Sequence, residues 1–354
     1  MRESDTTRAK GVVTDPDDLR IIRALQLAPR ASFARLAAVL GLPERTVARR
    51  YGALRRDGIL QIFGLVNPAT AGEHSWGVRV RCRPDSAEAL ATALAQRDDI
   101  AWVVLSAGGS EVTFSIRSLS AEQRETLLTR RLPRATHVLS VEAWVLLHHF
   151  LGRHSDDWGG LAGVLDAAET AELHATAMPL ADGEPAGPVP LEPADEAIAA
   201  VLARDGRASY AELAAAAGIS EGRVTRRLAM LLRSGTIHLD MDVAGAALGF
   251  TAKAHLYMQV SPARLHETGQ ALAALPEVCF AGARSGQHNL IATIVCRDLA
   301  DLYAFTTRGV GALDGVQTLE ISPVFRTIKQ AGALTDRGRL VDPLPSAHPR
   351  RLHA

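Results

Sequence analysis

The feature that most constrains this chain is an internal repeat. When the sequence is displaced by 177 positions, residues 18–58 align with residues 195–235 without a gap, and 18 of the 41 positions are identical. A displacement of one further residue aligns Gly108 with Gly286 and Ile116 with Ile294. We therefore expect two copies of one unit of about 140 residues, joined by a segment rich in proline and glycine, "EPAGPVPLEP".

The first third of each copy has helical periodicity. In the first copy the segments "PDDLRIIRALQL", "SFARLAAVLG" and "PERTVARRYGALRRDG" predict three short helices. Ser32 stands where a helix N-cap is expected, and Gly41 stands where a C-cap or a tight turn is expected. This order is typical of a helix-turn-helix. The segments that follow, "ILQIFGLVN" and "TIHLDMDV", alternate like the strands of a wing.

The rest of each copy alternates with the period of a strand. In "WGVRVRCR" the apolar residues share one face, and Arg79, Arg81 and Arg83 share the other, which we expect to be a solvated face rather than an anion pocket. Helical segments between the strands give the order strand, helix, strand, strand, helix, strand, which is a ferredoxin-like arrangement. The predicted fold class is α+β, with two winged helix-turn-helix domains alternating with two ferredoxin-like domains.

The predicted domain boundaries follow from these segments. We expect winged helix-turn-helix domains at 14–66 and 191–244, ferredoxin-like domains at 72–150 and 249–330, a linker at 151–190, and a disordered tail at 331–354.

Positive charge is concentrated in the third helix of each copy. The chain is neutral overall, yet residues 30–58 hold seven arginines and two acids. With Val47 facing inward, Arg45, Arg49 and Arg56 fall near the opposite side of the helix. An arginine-lined helix face suits the major groove, so double-stranded DNA is the expected partner. The alternative is a solvated arginine face paired with acids.

Composition argues against several other classes. No run of about eighteen apolar residues is present, so we expect no membrane partner. The polar N-terminus lacks the core of a signal peptide, and three widely spaced cysteines suit a reducing cytoplasm. We find no pattern of catalytic residues, no metal-ligand spacing and no phosphate-binding loop, and we expect no cofactor.

These motifs carry a family resemblance. Each copy resembles the Lrp/AsnC (leucine-responsive, feast/famine) transcriptional regulators, whose pattern is "R.S..ELA...G.S...V..RI..L...G.I". The second copy, "DEAIAAVLARDGRASYAELAAAAGISEGRVTRRLAMLLRSGTI", matches it more closely than the first. The family's effector module ends in "GV...T.......K", which "DGVQTLEISPVFRTIKQ" supplies in the second copy. The resemblance covers nearly all of residues 15–330 except the linker.

The resemblance implies a sequence-specific regulator in which two fused repeats form a pseudo-dimer, with further association into a homo-oligomer. The expected DNA-binding residues are Ser32, Arg45, Arg49, Arg50, Arg56, Ser209, Arg223, Thr225, Arg226 and Arg227. Because the two third helices differ, we expect an operator with two non-identical half-sites.

The resemblance also implies a small-molecule effector, an amino acid or a related compound, near a "G..D" turn. The matching turns are "GGSE" and "GQHN", and the expected effector-binding residues are Gly108, Glu111, Gly286, His288 and Asn289. Since Asn289 replaces a carboxylate, the second turn is not expected to bind an ordinary amino acid. The alternative is that both are turn residues without a ligand.

An enzyme on the same fold is the other possibility. Sirohaem decarboxylases resemble this regulator fold and occur as paired halves. The segment "ARSGQHNLIATI" shares only His288, Asn289 and Leu290 with their "hNYeR...YNLWF"-like segment, and it lacks the surrounding aromatic residues. We therefore favour the regulator.

Overall fold

The computed structural model describes residues 13, 15–67, 70, 74–117, 120–135, 137–152, 158–176 and 189–341. No helix in these ranges is both long enough and apolar enough to cross a lipid bilayer.

The first copy begins with three helices and continues as a ferredoxin-like unit. Its helix-turn-helix and following strand are α1 (Pro16–Leu27), α2 (Phe33–Leu40), α3 (Glu44–Arg56) and β1 (Leu60–Val66). Its ferredoxin-like unit consists of β2 (Trp76–Cys82), α4 (Pro84–Ala95), β3 (Ile100–Ser106), β4 (Glu111–Ile116), α5 (Ala121–Glu125) with a π-helical continuation (Thr126–Arg131), α6 (Leu132–Arg134) and β5 (Val138–Leu151).

The second copy repeats this order after an additional helix, α7 (Ala167–Thr176). Its helix-turn-helix and strand are α8 (Pro193–Leu202), α9 (Tyr210–Ala217), α10 (Glu221–Arg233) and β6 (Ile237–Val243). Its ferredoxin-like unit consists of β7 (Ala252–Val260), α11 (Leu265–Ala273), β8 (Val278–Arg284), β9 (Leu290–Cys296), α12 (Leu299–Ala304) with a π-helical continuation (Phe305–Gly309), and β10 (Val316–Thr327). The order of both units is confirmed, and so is the predicted α+β class with helix-turn-helix domains alternating with ferredoxin-like domains.

The residues that begin and end the second helix of each copy have the predicted capping roles. The Ser32 hydroxyl accepts a hydrogen bond from the N–H of Arg35 at 3.1 Å, which satisfies a free donor at the start of α2. Gly41 and Gly218 end α2 and α9 with φ near 65°, in the left-handed region that favours glycine. Both helix-turn-helix units therefore have the same backbone geometry at the turn.

The strand after each helix-turn-helix finds its partner in the other copy. β1 and β6 form a two-stranded antiparallel sheet in which Phe63 faces Asp240, its own counterpart in the repeat. Leu60 faces Val243, and Val66 faces Ile237, so each end of one strand meets the opposite end of its counterpart. Such reciprocal pairing is the pattern of a twofold axis, and here it relates two halves of one chain.

The two ferredoxin-like sheets close into one eight-stranded barrel, in the order β10-β3-β4-β2-β5-β8-β9-β7. The seams between the copies obey the same twofold relation, since Leu146 faces Arg284 and its counterpart Val324 faces Ser106. Apolar side chains on the outer face of each sheet pack under the helices of that copy. The inner face carries polar and aromatic side chains from both copies.

Two counterpart arginines hold the helix-turn-helix units together. Arg30 donates to the carbonyl oxygens of Gly206 and Ala208 at 2.7 and 2.8 Å, and Arg207 donates to those of Pro29 and Ala31 at 2.6 and 2.8 Å. Each guanidinium group also lies over an aromatic ring, with Arg30 over Tyr210 and Arg207 over Phe33. These arginines therefore serve the contact between the copies.

The segment 151–190, predicted as a linker, contains a packed helix. Leu173 of α7 has none of its surface exposed and belongs to the core of the first helix-turn-helix. Glu169 pairs with Arg20, and Glu172 pairs with Arg35 at 2.8 Å. Positions 153–157 and 177–188 lie outside the described residues. The prediction was wrong for 167–176. The few apolar residues of α7 gave no clear helical pattern, but they pack into the core of the first helix-turn-helix.

Residues 331–354 were predicted to be a disordered tail, but residues 331–341 are ordered. The strands β11 (Leu334–Asp336) and β12 (Arg339–Val341) form a hairpin, and Ala331, Ala333 and Leu340 are buried. The Asp242 carboxylate of β6 accepts from the N–H groups of Ala331, Gly332 and Ala333 at 2.8 to 3.1 Å. Residues 342–354 lie outside the described part of the chain.

Replacing Leu173 with alanine tests the packing of α7. Deleting a fully buried leucine side chain commonly costs about 2–5 kcal/mol, so we expect amide hydrogen exchange across 167–176 to accelerate strongly. The exposed Leu147→Ala substitution is the matched control and should leave this exchange unchanged. Equal protection of 167–176 in wild type and Leu173→Ala would contradict the packed helix.

Candidate nucleic-acid interface and ligand cavity

The third helix of each copy has a buried apolar side and an exposed basic side. In α3 the buried residues are Val47, Tyr51 and Leu54, and in α10 they are Val224, Leu228 and Leu231. This spacing of three and four residues fixes the rotation of each helix on its domain. The opposite side of each helix is therefore directed to solvent.

Six arginines occupy the exposed sides. They are Arg45, Arg49 and Arg56 on α3 and Arg223, Arg226 and Arg233 on α10. Within the described residues, none of these six guanidinium groups forms an ion pair or a hydrogen bond. A guanidinium group without a protein acceptor keeps all of its donors for phosphate oxygens or base edges. The predicted outward placement of Arg45, Arg49, Arg56, Arg223 and Arg226 agrees with this geometry.

Arg50 and Arg227, predicted to contact DNA, point toward carboxylates of their own domain. Arg50 donates to Asp15 and Asp18 at 2.8 Å each. Arg227 donates through Nε to Asp195 at 2.7 Å and pairs with Glu192 at 3.1 Å. The Asp195 side chain is 0% exposed, so its charge requires this partner. We correct the prediction for these two arginines: they attach the third helix to the first.

The ion pairs also shift the ionisation of their members. The hydrogen bond from Arg50 holds the pKa of Asp15 below its ordinary value. Hydrogen bonds to Asp15 and Asp18 raise the pKa of Arg50, and the hydrogen bond to Asp195 raises that of Arg227. Both guanidinium groups are therefore held in the charged state by neighbouring acids.

The hydroxyl groups predicted to contact DNA already have partners. Ser32 caps α2, and Ser209 caps α9 by accepting from the N–H of Glu212 at 3.2 Å. The Thr225 hydroxyl donates to the carbonyl oxygen of Glu221 at 2.9 Å. Each oxygen could still accept one more hydrogen bond. A contact between these three residues and DNA stays a prediction.

One mouth of the barrel holds two adjoining cavities of about 240 and 390 Å³. Both are lined by Arg79, Arg81 and Glu320, so they lie on either side of these residues. Arg79 is buried. Its Nε forms an ion pair with Glu111 at 2.6 Å, and its terminal nitrogens donate to Glu320 of the other copy. The prediction of a solvated face was therefore wrong for Arg79, because closing the barrel turns that face inward.

Burial and ion pairing compete at Arg79. Burial alone would lower the pKa of the guanidinium group, but the hydrogen bonds to Glu320 and Glu111 raise it above its ordinary value. The hydrogen bond from Arg79 also lowers the pKa of Glu320 below its ordinary value. Arg79 therefore remains charged and links the two copies inside the barrel.

The predicted effector residues separate into two groups. Glu111 lines the larger cavity and His288 lines the smaller one. The Asn289 side chain is engaged by the backbone N–H and carbonyl of Val260, at 2.8 Å each. Gly108 and Gly286 lie in tight turns with positive φ and line neither cavity. Sequence reasoning missed Ser140, Glu142 and Gln287, which join the smaller cavity only when the barrel closes.

Comparison with known proteins defines the class. The AsnC-type helix-turn-helix domain matches residues 15–55 and 193–232, and the Lrp/AsnC ligand binding domain matches residues 253–334. An HTH-type transcriptional regulator of Pyrococcus abyssi is 30% identical over 145 residues, which are 41% of this chain and 91% of that protein. A second HTH-type transcriptional regulator, from Pyrococcus horikoshii, is 26% identical over 147 residues, 41% of this chain and 97% of that protein.

The protein is therefore a helix-turn-helix transcriptional regulator that binds DNA. More specifically, the chain belongs to the Lrp/AsnC family, in a tandem form with two helix-turn-helix domains. Family membership places it among regulators and not among enzymes. Since a relative of ordinary length matches about two fifths of the chain, one copy corresponds to one such protein.

A solved structure shares the whole architecture. The siroheme decarboxylase NirDL aligns with 88% of this chain and 92% of its own, with a TM-score of 0.57 and 15% sequence identity. At this identity the likeness concerns the fold alone. It supports the arrangement of two helix-turn-helix units beside two joined ferredoxin-like units.

Adjacent arginines on α10 offer a test of their different roles. Arg227→Gln leaves the buried Asp195 without its main partner, and we expect a loss of about 3 kcal/mol in the free energy of unfolding. Arg226→Gln changes an exposed side chain and should alter stability by no more than about 0.5 kcal/mol. Urea unfolding at pH 7 measures both. Equal stability of the two variants would contradict the structural role of Arg227.

Proposed function

We propose that one chain binds an operator as a pseudo-dimer, with α3 and α10 reading two half-sites. The observation that carries this proposal is the reciprocal pairing of β1 with β6, which joins the two helix-turn-helix units within the chain. Helix-turn-helix dimers place their reading helices in successive major grooves through a twofold axis. Here the axis relates the two copies, so one chain offers both helices.

We propose that the exposed arginines of α3 and α10 contact the DNA, and we call them the reading set. Arg45 and Arg49 serve one half-site, and Arg223 and Arg226 serve the other. Arg56 and Arg233 lie in the last turns of their helices and suit phosphate contacts. Arg50 and Arg227 are left out because carboxylates hold them.

The two half-sites that we propose are not identical. Arg45 is the second residue of α3, whereas Arg223 is the third residue of α10, and Gly222 occupies the position of Arg45. One residue along a helix rotates a side chain by about 100°. The two arginines near the helix starts therefore reach different base edges, while Arg49 and Arg226 occupy equivalent positions.

A small-molecule effector is the second part of the proposal. The cavities at the barrel mouth contain charged side chains of both copies, including Glu111 of the first and Glu320 of the second, and the His288 ring lines the smaller one. A ligand bound there would contact both copies, because Glu142 belongs to the first copy and Glu320 to the second. Since Asn289 is engaged by the backbone of Val260, we do not place an ordinary amino acid at the second turn.

Association of whole chains is a further proposal. Each barrel strand is paired on both sides, so a second chain would have to dock through helices or exposed side chains. Leu147 and its counterpart Phe325 are both exposed and suit such a contact.

The enzyme alternative receives no support from the shared residues. Of the positions common to the sirohaem decarboxylase segment, Asn289 holds the backbone of β7, and the His288 carbonyl accepts from Arg284. Both contacts are structural. A purified protein with the absorption of a bound tetrapyrrole would reverse this preference.

The DNA-reading proposal is tested with double variants on an operator selected from random DNA. Arg45→Ala with Arg49→Ala, and Arg223→Ala with Arg226→Ala, should each weaken binding by roughly tenfold or more, since a base-reading arginine contributes about 1–3 kcal/mol. Footprints should show that each double variant loses protection over a different half-site.

The control for this experiment is Arg130→Ala with Arg131→Ala, which removes two exposed arginines from the π-helical continuation of α5, in the first ferredoxin-like unit. It should leave both the affinity and the footprint unchanged at constant salt. Unchanged gel shifts for both double variants on the helices would refute the reading set.

A further inference from the structure

The two seams of the barrel carry different side chains at equivalent positions. At the seam between β10 and β3, Arg326 forms an ion pair with Glu88 of α4 at 2.5 Å, which links the second copy to the first. The displacement of 178 positions that relates the two ferredoxin-like units places His148 at the position of Arg326 and His266 at the position of Glu88. The seam between β5 and β8 therefore has two histidines where the other seam has an ion pair.

The rings of these two histidines lie next to each other on the outside of the barrel. His148 is on β5 of the first copy and His266 is on α11 of the second, and their ring centres are 5.7 Å apart. Both residues are exposed. Among the described residues, neither ring forms a hydrogen bond or an ion pair. Because a neutral imidazole has one nitrogen with a free lone pair, each ring can offer that nitrogen to a ligand.

Phe150 fixes the separation between the strand and the helix that carry the histidines. Its ring centre lies 4.7 Å from that of His148 and 5.7 Å from that of His266. Phe150 packs against α11 at Gly269, where a Cβ atom would lie 2.3 Å from the phenyl ring. Since the glycine lets the phenyl ring approach the helix backbone, β5 and α11 are packed directly together, and this packing sets the distance between the two histidines.

The distance between the two rings suits a shared metal ion. With a metal–nitrogen bond of about 2.0–2.1 Å, a metal ion lies about 3.2 Å from the centre of each ring that binds it, so the two ring centres can be up to about 6.4 Å apart. The observed 5.7 Å is within this limit. In the part of the chain that the structure describes, no group of three or more histidines, cysteines or carboxylates is placed to hold a metal ion, so the rest of the coordination falls to water.

We propose that His148 and His266 bind one divalent transition-metal ion, such as Ni²⁺ or Zn²⁺, across the seam between β5 and β8. Each ring donates one nitrogen, since imidazole suits these ions. The ion links β5 of the first copy to α11 of the second, as Arg326 and Glu88 link the equivalent elements at the other seam. The site goes beyond the regulator function proposed above, and its metal binding is measured without DNA.

Isothermal titration calorimetry of the untagged full chain with nickel, zinc and magnesium chlorides tests the site. We expect one saturable site per chain for Ni²⁺ and Zn²⁺, and no heat for Mg²⁺, which requires oxygen ligands. His148→Gln and His266→Gln should each weaken Ni²⁺ binding at least tenfold, because a single imidazole remains. His174→Gln changes an exposed histidine of α7, and as the matched control it should bind as the wild type does.

A charge-pair variant tests the link between the copies. His148→Arg combined with His266→Glu introduces the side chains of the other seam, so it should lose Ni²⁺ binding and keep the melting temperature of the metal-free wild type. Ni²⁺ should raise the melting temperature of the wild type but not that of this variant, because a ligand that binds only the folded state stabilises it.

Three results would each overturn the metal site: no saturable Ni²⁺ binding by the wild type, unchanged affinity in either glutamine variant, or unchanged affinity in the charge-pair variant. Operator binding is measured separately by gel shift, so the function proposed above stands or fails independently of these results.

Discussion

The antiparallel pairing of β1 with β6 is the interaction on which the rest of the molecule depends. A lone strand after a helix-turn-helix exposes a row of unpaired N–H and carbonyl groups, which must find a partner. In this chain the partner is the counterpart strand, and Phe63 meets Asp240 at the centre of the ladder. Once that register is set, Arg30 and Arg207 reach each other's loops, and the two ferredoxin-like sheets can meet edge to edge.

Arginine fills four separate roles, which explains how a neutral chain keeps a basic surface. Arg30 and Arg207 bind backbone carbonyls across the twofold relation. Arg50 and Arg227 attach the third helices to acids of the first helices. Inside the barrel, Arg79 and Arg284 each pair with a glutamate of the other copy. The arginines on the outer sides of α3 and α10 are exposed and keep their donors for phosphates and bases.

Sequence reasoning succeeded where the signal was local. The capping residues Ser32 and Gly41 and the periodicity of helices and strands are encoded within a few neighbouring positions. Together with the repeat, which is visible by direct comparison of the two halves, they led to the correct fold class. The inward apolar side of α3 followed from the spacing of Val47, Tyr51 and Leu54 alone.

Long-range features could not be derived in this way. The pairing partner of β1 cannot be predicted from a side-chain pattern, because strands pair through backbone groups that nearly every residue carries. Arg79 lies on an alternating strand whose polar face is solvated in an open sheet and buried in a closed barrel. Likewise, Arg49 and Arg50 are adjacent arginines that the sequence cannot distinguish. Arg50 has a structural role because Asp15 and Asp18 lie beside it, whereas Arg49 is exposed.

The contact between residues 330–333 and β6 connects the barrel to the two helix-turn-helix units. Burial raises the pKa of Asp242 to about 6, although three backbone N–H groups of residues 331–333 donate to its carboxylate. Gln330 adds a hydrogen bond to the carbonyl of Val243 at 3.0 Å. Because β10 leads directly into this loop, a change at the barrel mouth has a continuous path of bonded and packed residues to β6.

A disulfide across the β1–β6 ladder tests the central claim most directly. Leu65 faces His238, and facing residues of antiparallel strands lie within the range that a disulfide can bridge. Leu65→Cys combined with His238→Cys, oxidised at low protein concentration, should give a cross-linked single chain by non-reducing electrophoresis and mass spectrometry. Disulfide-linked dimers as the main product, with no cross-link inside the chain, would show that the copies pair between chains and would contradict the account.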